Sequence, residues 1–270
     1  MKIGILALQG DVREHEKCLM EAAATLGMKA GLPGEKAGNS KEKPGGKGIA
    51  IDIIHARTEA DLAGLGGIIL PGGESTTMWK LLVRHGMVEK LKKVPCVFGT
   101  CAGLILMSSH AEGKIEGQGT LGLLDCPVLR NAYGSQIESF EAEIEISLGN
   151  WKAKHAGSGI EGIGGFHGTE TGTGNACNES FHGKASVAFI RAPIIKSTGS
   201  AVPIAWHESK PQTGRNTGLQ ANGKDIVGVE EESAVHYYLG LACHPEIEGE
   251  TFFHRRFLEK CAGISMKRKR

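Results

Sequence analysis

The sequence predicts an α/β fold: a mostly parallel central sheet with helices on both faces. Three observations carry this. Short apolar runs recur and stop at glycine or proline, as buried strands do. Longer stretches with helical spacing alternate with them, the pattern of crossover connections between parallel strands. No run reaches the ~18 consecutive apolar residues of a membrane span.

The elements follow in order. Residues Lys2–Leu8 read as a buried strand ended by Gly10, and Asp11 suits the N-cap of a helix over Val12–Leu26. Ala50–His55 is a β-branched second strand, and Gly67–Leu70 a third, stopped by Pro71-Gly72-Gly73. Helices are expected at Thr76–Arg84 and Val88–Lys92. Pro95–Phe98 is a fourth strand, followed by a glycine-flanked turn and a helix over Ala102–Ser109. The second half is strand-rich, with runs at Leu123–Leu129, Ser139–Ile146, Ala185–Ile190, Val202–Trp206, Asp225–Glu230 and Tyr237–Ala242, then a helix over Glu250–Lys260. A single domain over 1–263 is expected, with 264–270 as a basic tail. That tail reads as a solvated terminus, with a nuclear signal as the alternative.

Composition narrows the function. A net charge of +1 gives no electrostatic case for nucleic acid or an anionic membrane as partner. The seven cysteines are scattered without CxxC spacing, so neither a disulfide framework nor a structural zinc site is expected, and a reducing, cytoplasmic compartment fits. No metal or other cofactor is called for. Glycine is in excess, 40 of 270 against a usual ~7%. Nearly half of it falls in three polar, aperiodic stretches read as insertions, 33–48, 149–183 and 197–224.

The rest of the glycine points to chemistry. Gly99-Thr100-Cys101-Ala102-Gly103 lies between a strand and a helix, the cysteine form of a nucleophile elbow. Such a turn lifts the side chain off the sheet, and the helix beginning at Ala102 turns its N–H groups toward the sulfur, which favours thiolate. Cys18, Cys96, Cys126, Cys177 and Cys261 lack this context and read as packing residues, as does Cys243. A nucleophilic thiol needs a base and an orienting group. His244-Pro245-Glu246 follows the last apolar strand, and two-residue spacing can set both side chains on one side of an extended segment. Alone, such a histidine is more often structural; beside the elbow it becomes the candidate base. Pro71-Gly72-Gly73-Glu74-Ser75-Thr76, also at a strand end, reads either as a turn with a helix cap at Ser75 or Thr76, or as a loop in which one of the glycines offers an oxyanion donor paired with the N–H of Ala102. A phosphate loop is excluded, because GxxxxGK[ST] is missing.

Together, GTCAG after an apolar strand, PGGEST upstream and HPE downstream resemble a class I glutamine amidotransferase with a Cys, His, Glu triad. Further words narrow the likeness: LALQG at 6–10, FGTCAGLI at 98–105, RNAYG at 130–134, SFEA at 139–142 and FIRAP at 189–193 resemble the glutaminase subunit of pyridoxal 5′-phosphate synthase. The resemblance covers about two thirds of the chain and implies a flavodoxin-like amidotransferase architecture. It implies that Cys101, His244 and Glu246 hydrolyse glutamine, with Gly73 and Ala102 at the oxyanion. It places Gly73, Glu74, Ser75, Arg130, Ile190 and Arg191 around the substrate. It also implies a partner, a barrel-shaped synthase subunit in a large hetero-oligomer that receives the ammonia, with Gln9-Gly10 in the coupling. Two residues depart from many relatives: Ser135 after the Tyr-Gly pair, and Cys243 before the histidine. The alternatives are another cysteine hydrolase on a similar sheet, such as a peptidase or deglycase, or a non-catalytic binding subunit. The intact triad residues disfavour the second alternative.

Overall fold

The structure is a computed structural model that describes residues 1–32, 49–130, 139–148, 167–170, 181–208, 220–221 and 223–268. The 33–48 stretch, Cys177, Gly134 and Ser135 lie outside the described residues. The chain runs β1 (Lys2–Leu6), α1 (Val12–Thr25), β2 (Lys29–Gly31), β3 (Ala50–Ala56), β4 (Leu65–Leu70), α2 (Ser75–Arg84), α3 (Val88–Leu91), β5 (Cys96–Thr100) and α4 (Ala102–Met107). Short strands β6 (Ala111–Glu112) and β7 (Val128–Leu129) follow, then β8 (Phe140–Leu148), β9 (His167–Glu170), β10 (Phe181–Phe189) and β11 (Ile194–Ile195). Last come β12 (Val202–His207), β13 (Gln220–Ala221), β14 (Lys224–Glu232), β15 (Tyr237–Leu241) and α5 (Phe252–Lys267).

One sheet has the order β2-β3-β1-β4-β5-β15-β14-β12-β8-β10-β9, with β13 paired to β14. Strands β2 to β15 in that order pair parallel, forming the α/β core that the alternation of strand and helix predicts. From β15 outward the pairs are antiparallel. Strands β12 and β13 fall within the 197–224 stretch, and β9 within 149–183.

The parallel strands are buried because helices cover both faces. Phe98 on β5 packs against Phe257 and His254 of α5, and against His15 of α1. A Cβ on its neighbour Gly99 would instead meet Met107 of α4. Adjacent strand residues point to opposite faces, so α1 and α5 cover one face and α4 the other. Phe98, Phe257, Ile3, Ile5 and Leu6 are all inaccessible to solvent, and each such side chain contributes about 1.5–3 kcal/mol of burial.

Two expectations change. The apolar run Leu123–Leu129 is a strand only at Val128–Leu129, where it joins a three-stranded sheet of order β11-β7-β6. Before it, Leu124 and Cys126 are buried in a loop whose Leu123 and Leu124 N–H groups bond to Met107 C=O. Burial without a strand partner explains that apolar run. The last helix begins at Phe252 and continues past Lys260 to Lys267, into the expected tail. Among the described residues no helix is long and apolar enough to cross a membrane.

Candidate active site

Neighbouring parallel strands β1, β4, β5 and β15 end at one edge of the sheet, and their carboxyl ends supply every triad residue and glycine loop expected from the sequence. This is where open α/β sheets bind ligands. Register sets Leu70 beside Gly99, and Thr100 beside Leu241. The segments after β4, β5 and β15 therefore converge.

Cys101 is the turn residue between β5 and α4. Its N–H bonds to Leu241 C=O at 2.8 Å, and its φ is +47°, a left-handed conformation rare outside glycine. Strain of this kind costs on the order of 1–3 kcal/mol and persists only where the surroundings enforce it. Here α4 is pressed onto the end of β4: a Cβ at Gly103 would lie 2.0 Å from Leu70 O. Ala102 opens α4, so its N–H has no intrahelical acceptor. The Cys101 thiol is largely buried and donates to Ile190 C=O at 3.6 Å.

His244 and Glu246 leave β15 into a turn. His244 is fixed by a two-way backbone bridge to Ala188. Its Nδ1 bonds Glu246 Oε1 at 2.9 Å and lies 3.3 Å from Asp11 Oδ2. Its Nε2 is buried without a hydrogen bond among the described residues. Burial opposes a charged imidazole here, yet contacts with Asp11, Cys101 and Glu246 outweigh it and hold His244 well above its ordinary range. Burial pushes the Glu246 carboxyl up, against the bond from His244. Gly72 carries no side chain because a Cβ would meet His244 Cε1 at 2.2 Å.

The loop after β4 differs from its expected capping. Glu74, not Ser75 or Thr76, is the N-cap of α2, and its carboxylate accepts from the N–H groups of Thr76 and Thr77 at 3.0 and 2.6 Å. Arg130, placed directly after β7, donates to Glu74 Oε1 at 3.3 Å and to Gln118 Oε1 at 2.5 Å. Gln118 is buried and also bonds Thr76 and Ser75. Gly73 has φ +133°, with Gln9 clasping the next peptide. Gln9 Oε1 accepts from Glu74 N–H at 3.2 Å, and its Nε2 donates to Glu74 C=O at 3.4 Å. Gly10 lies against Gly72 O, with no room for a Cβ.

The structure thus brings together Cys101, His244, Glu246, Gly73 and Ala102, and sets Glu74, Ser75, Arg130 and Ile190 around them. Arg191 is exposed with φ +46°, and its guanidinium makes no hydrogen bond or ion pair among the described residues. Asp11 does not cap α1 through its side chain as expected; its carboxylate turns to His244. Sequence reasoning missed Asp11, His15, Thr100, His254 and Gln118 as site neighbours. A buried Gln between loops and two His on helix faces carry no local signal.

Likeness to known proteins places this fold in one class, the glutamine amidotransferases. A crystal structure described as glutamine amidotransferase superposes with a TM-score of 0.59 at 28% identity, covering 96% of this chain and 98% of that one. Residues 5–158 match the SNO glutamine amidotransferase family, and the chain belongs to it. Similar curated proteins include the pyridoxal 5′-phosphate synthase subunit PdxT of Thermococcus onnurineus, 32% identical over 96% of this chain and 98% of that protein. The same-named subunits of Pyrococcus horikoshii and Dehalococcoides mccartyi are 33% and 34% identical, over 96% of this chain and 99% and 96% of theirs.

Proposed function

We propose that the chain hydrolyses the side-chain amide of L-glutamine to L-glutamate and ammonia at Cys101, and hands the ammonia to the synthase subunit that builds pyridoxal 5′-phosphate. The observation that carries this reading is the Nδ1–carboxylate bond of His244 and Glu246 beside a strained, largely buried Cys101 at an elbow. The names of the relatives support the partner.

In this mechanism His244 Nε2 holds the proton given up by Cys101, and the sulfur attacks the amide carbon. The N–H groups of Gly73 and Ala102 hold the oxyanion. His244 returns the proton to the amide nitrogen, the C–N bond breaks and ammonia leaves a thioester. Water then attacks the thioester, passing a proton to His244, and glutamate departs as the C–S bond breaks. Glu246 keeps the His244 proton on Nδ1 and supports the imidazolium. Glu74, Ser75, Arg130, Ile190 and Arg191 bind the glutamine backbone and amide. The guanidinium of Arg130 is buried beside Glu74 and suits the substrate carboxylate. Gln9 and Gly10 bear directly on the Gly72–Glu74 loop, so a partner that moves residues 9–10 moves the oxyanion donor at Gly73. A reducing cytoplasm fits the free, buried cysteines.

The test is glutamate release from glutamine, measured with and without the synthase subunit. Partner-stimulated release is expected, with Cys101→Ala abolishing it. No glutamate in the presence of the partner would refute the reading.

A further inference from the structure

Behind the triad lies a chain of buried polar groups. Glu246 Oε1, already bonded to His244, also accepts from Thr100 Oγ1 at 3.3 Å and lies 3.5 Å from His15 Nε2. His15 Nε2 meets Thr100 Oγ1 at 3.1 Å, and His15 Nδ1 meets His254 Nε2 at 2.9 Å. His15, Thr100 and His254 are wholly inaccessible, and Glu246 nearly so. Two buried imidazoles, from the first helix and the last, are costly to place in a core, and the triad chemistry above does not use them.

Repulsion from the Glu246 carboxylate is the ground on which we assign the His15 tautomer, and the other proton positions follow from that assignment. A lone pair on His15 Nε2 would repel the Glu246 carboxylate at 3.5 Å, so that nitrogen carries hydrogen. It donates to Thr100 Oγ1, whose own hydrogen goes to Glu246. His15 Nδ1 is then an acceptor and His254 Nε2 its donor. With this assignment the hydrogen bonds run from His254 through His15 and Thr100 to the carboxylate. Burial, then the neighbouring His254 and His244, hold His15 well below the ordinary imidazole range, and burial takes His254 down to about 3. Both rings are neutral donors at neutral pH.

We propose that His15, backed by His254, is a positioning residue that locks the Glu246 carboxylate through Thr100 and so sets the aim of His244 on Cys101. The proposal rests on the Cys101 chemistry given above. Donors on Glu246 keep it anionic in a buried place. Without them it takes up a proton at higher pH, and the imidazolium and thiolate lose their counter-charge. The groups facing His15 are His254 of α5, Thr100 and Phe98 of β5, and Glu246 and His244 after β15. Glu246 also has Asp11 and Cys18 nearby.

The test compares wild type, His15→Leu and His15→Gln in complex with the synthase subunit, and follows Cys101 alkylation by iodoacetamide on the full chain, with Cys101→Ala as background. In His15→Leu, kcat is expected to fall on the order of tenfold with KM nearly unchanged. The acid limbs of both activity and alkylation should move up by about half a pH unit. His15→Gln keeps an N–H donor near the Nε2 position and is expected to restore most of both. A folded His15→Leu with wild-type kcat and limbs overturns the proposal. So does a loss equal at every pH that Gln does not rescue. If His15→Leu does not fold, Thr100→Val decides: the same shift supports the relay, and an unmoved limb overturns it. Should wild type release no glutamate, the glutamine reading fails, while the alkylation profile still judges the relay.

Discussion

Gly72 shows how little freedom the catalytic residues have. Its missing side chain is the space occupied by His244 Cε1, with Asp11 Oδ2 2.7 Å from the same point. In Gly72→Ala the ring must leave Cys101 or the loop must leave the ring. We expect kcat to fall about 100-fold or more, since displacements of ~1 Å have that effect, while far-UV circular dichroism stays native. Asp11→Asn removes one of the contacts that keep His244 charged. The imidazolium is therefore expected to lose its proton at lower pH than in wild type, read from the His244 ring nitrogens by NMR titration. An unchanged titration would mean that Glu246 and Cys101 suffice. The same residue marks the boundary of what the sequence reveals. The elbow around Cys101 and the His244–Glu246 spacing are local patterns, legible because the turn and strand that shape them lie within a few residues. Asp11 looks like an N-cap by that same local rule. Its true partner is brought in by parallel pairing of strands far apart in the chain, which no short motif records.

At the scale of elements, α2 is the part of the site with the clearest energetic handle. Its first N–H groups are capped by Glu74, which also meets Arg130. Removing an N-cap side chain costs about 1 kcal/mol, so Glu74→Ala is expected to lower Tm modestly and raise KM for glutamine as Arg130 loses its partner. Partial burial would raise the Glu74 pKa, but the backbone bonds from Thr76 and Thr77 outweigh this and lower it from 4.5. A depressed carboxylate stabilises the fold above its unfolded pKa and loses that contribution as pH falls through the folded one. The Tm gap between wild type and Glu74→Ala should therefore close as the pH drops below 4.5. Capping also shows why element boundaries were only partly legible. Ser75 and Thr76 are good caps by type, yet the helix begins at Ser75, one residue earlier than expected, so the cap falls to Glu74. Strands β2, β6, β7 and β11 are two or three residues long, too short for a period of two to register. Longer strands were legible where apolar residues recur, as nearly continuous buried runs in β1, β4, β5 and β15 and at alternate positions in β8.

Across the whole molecule, the site sits on the β5–β15 pair, where the parallel half of the sheet meets the antiparallel half. One face of that seam is closed by the two ends of the chain, α1 and α5, whose His15 and His254 meet beneath β5. Which helices meet across a sheet is a matter of crossover order, and the sequence alone does not say that His15 and His254 are neighbours. Their meeting ties stability to pH. Burial holds the folded pKa of His254 at about 3, against 6.5 for an exposed imidazole. Between those values the unfolded chain binds a proton that the folded chain does not, so stability rises with pH there and falls on acidification. The slope from this one group is about 1.4 kcal/mol per pH unit, and His15, lowered in the same direction, adds to it. His254→Phe fits the aromatic surroundings of Phe98 and removes the titrating group. It is expected to lose stability at pH 7, where the wild-type ring is neutral and bonded, and to lose less with each step of acidification below 6.5. Urea unfolding of both proteins from pH 7 downward measures the two curves. Converging curves place the cost of acid on this buried pair, whereas curves that stay parallel would assign it to the carboxylates elsewhere in the fold.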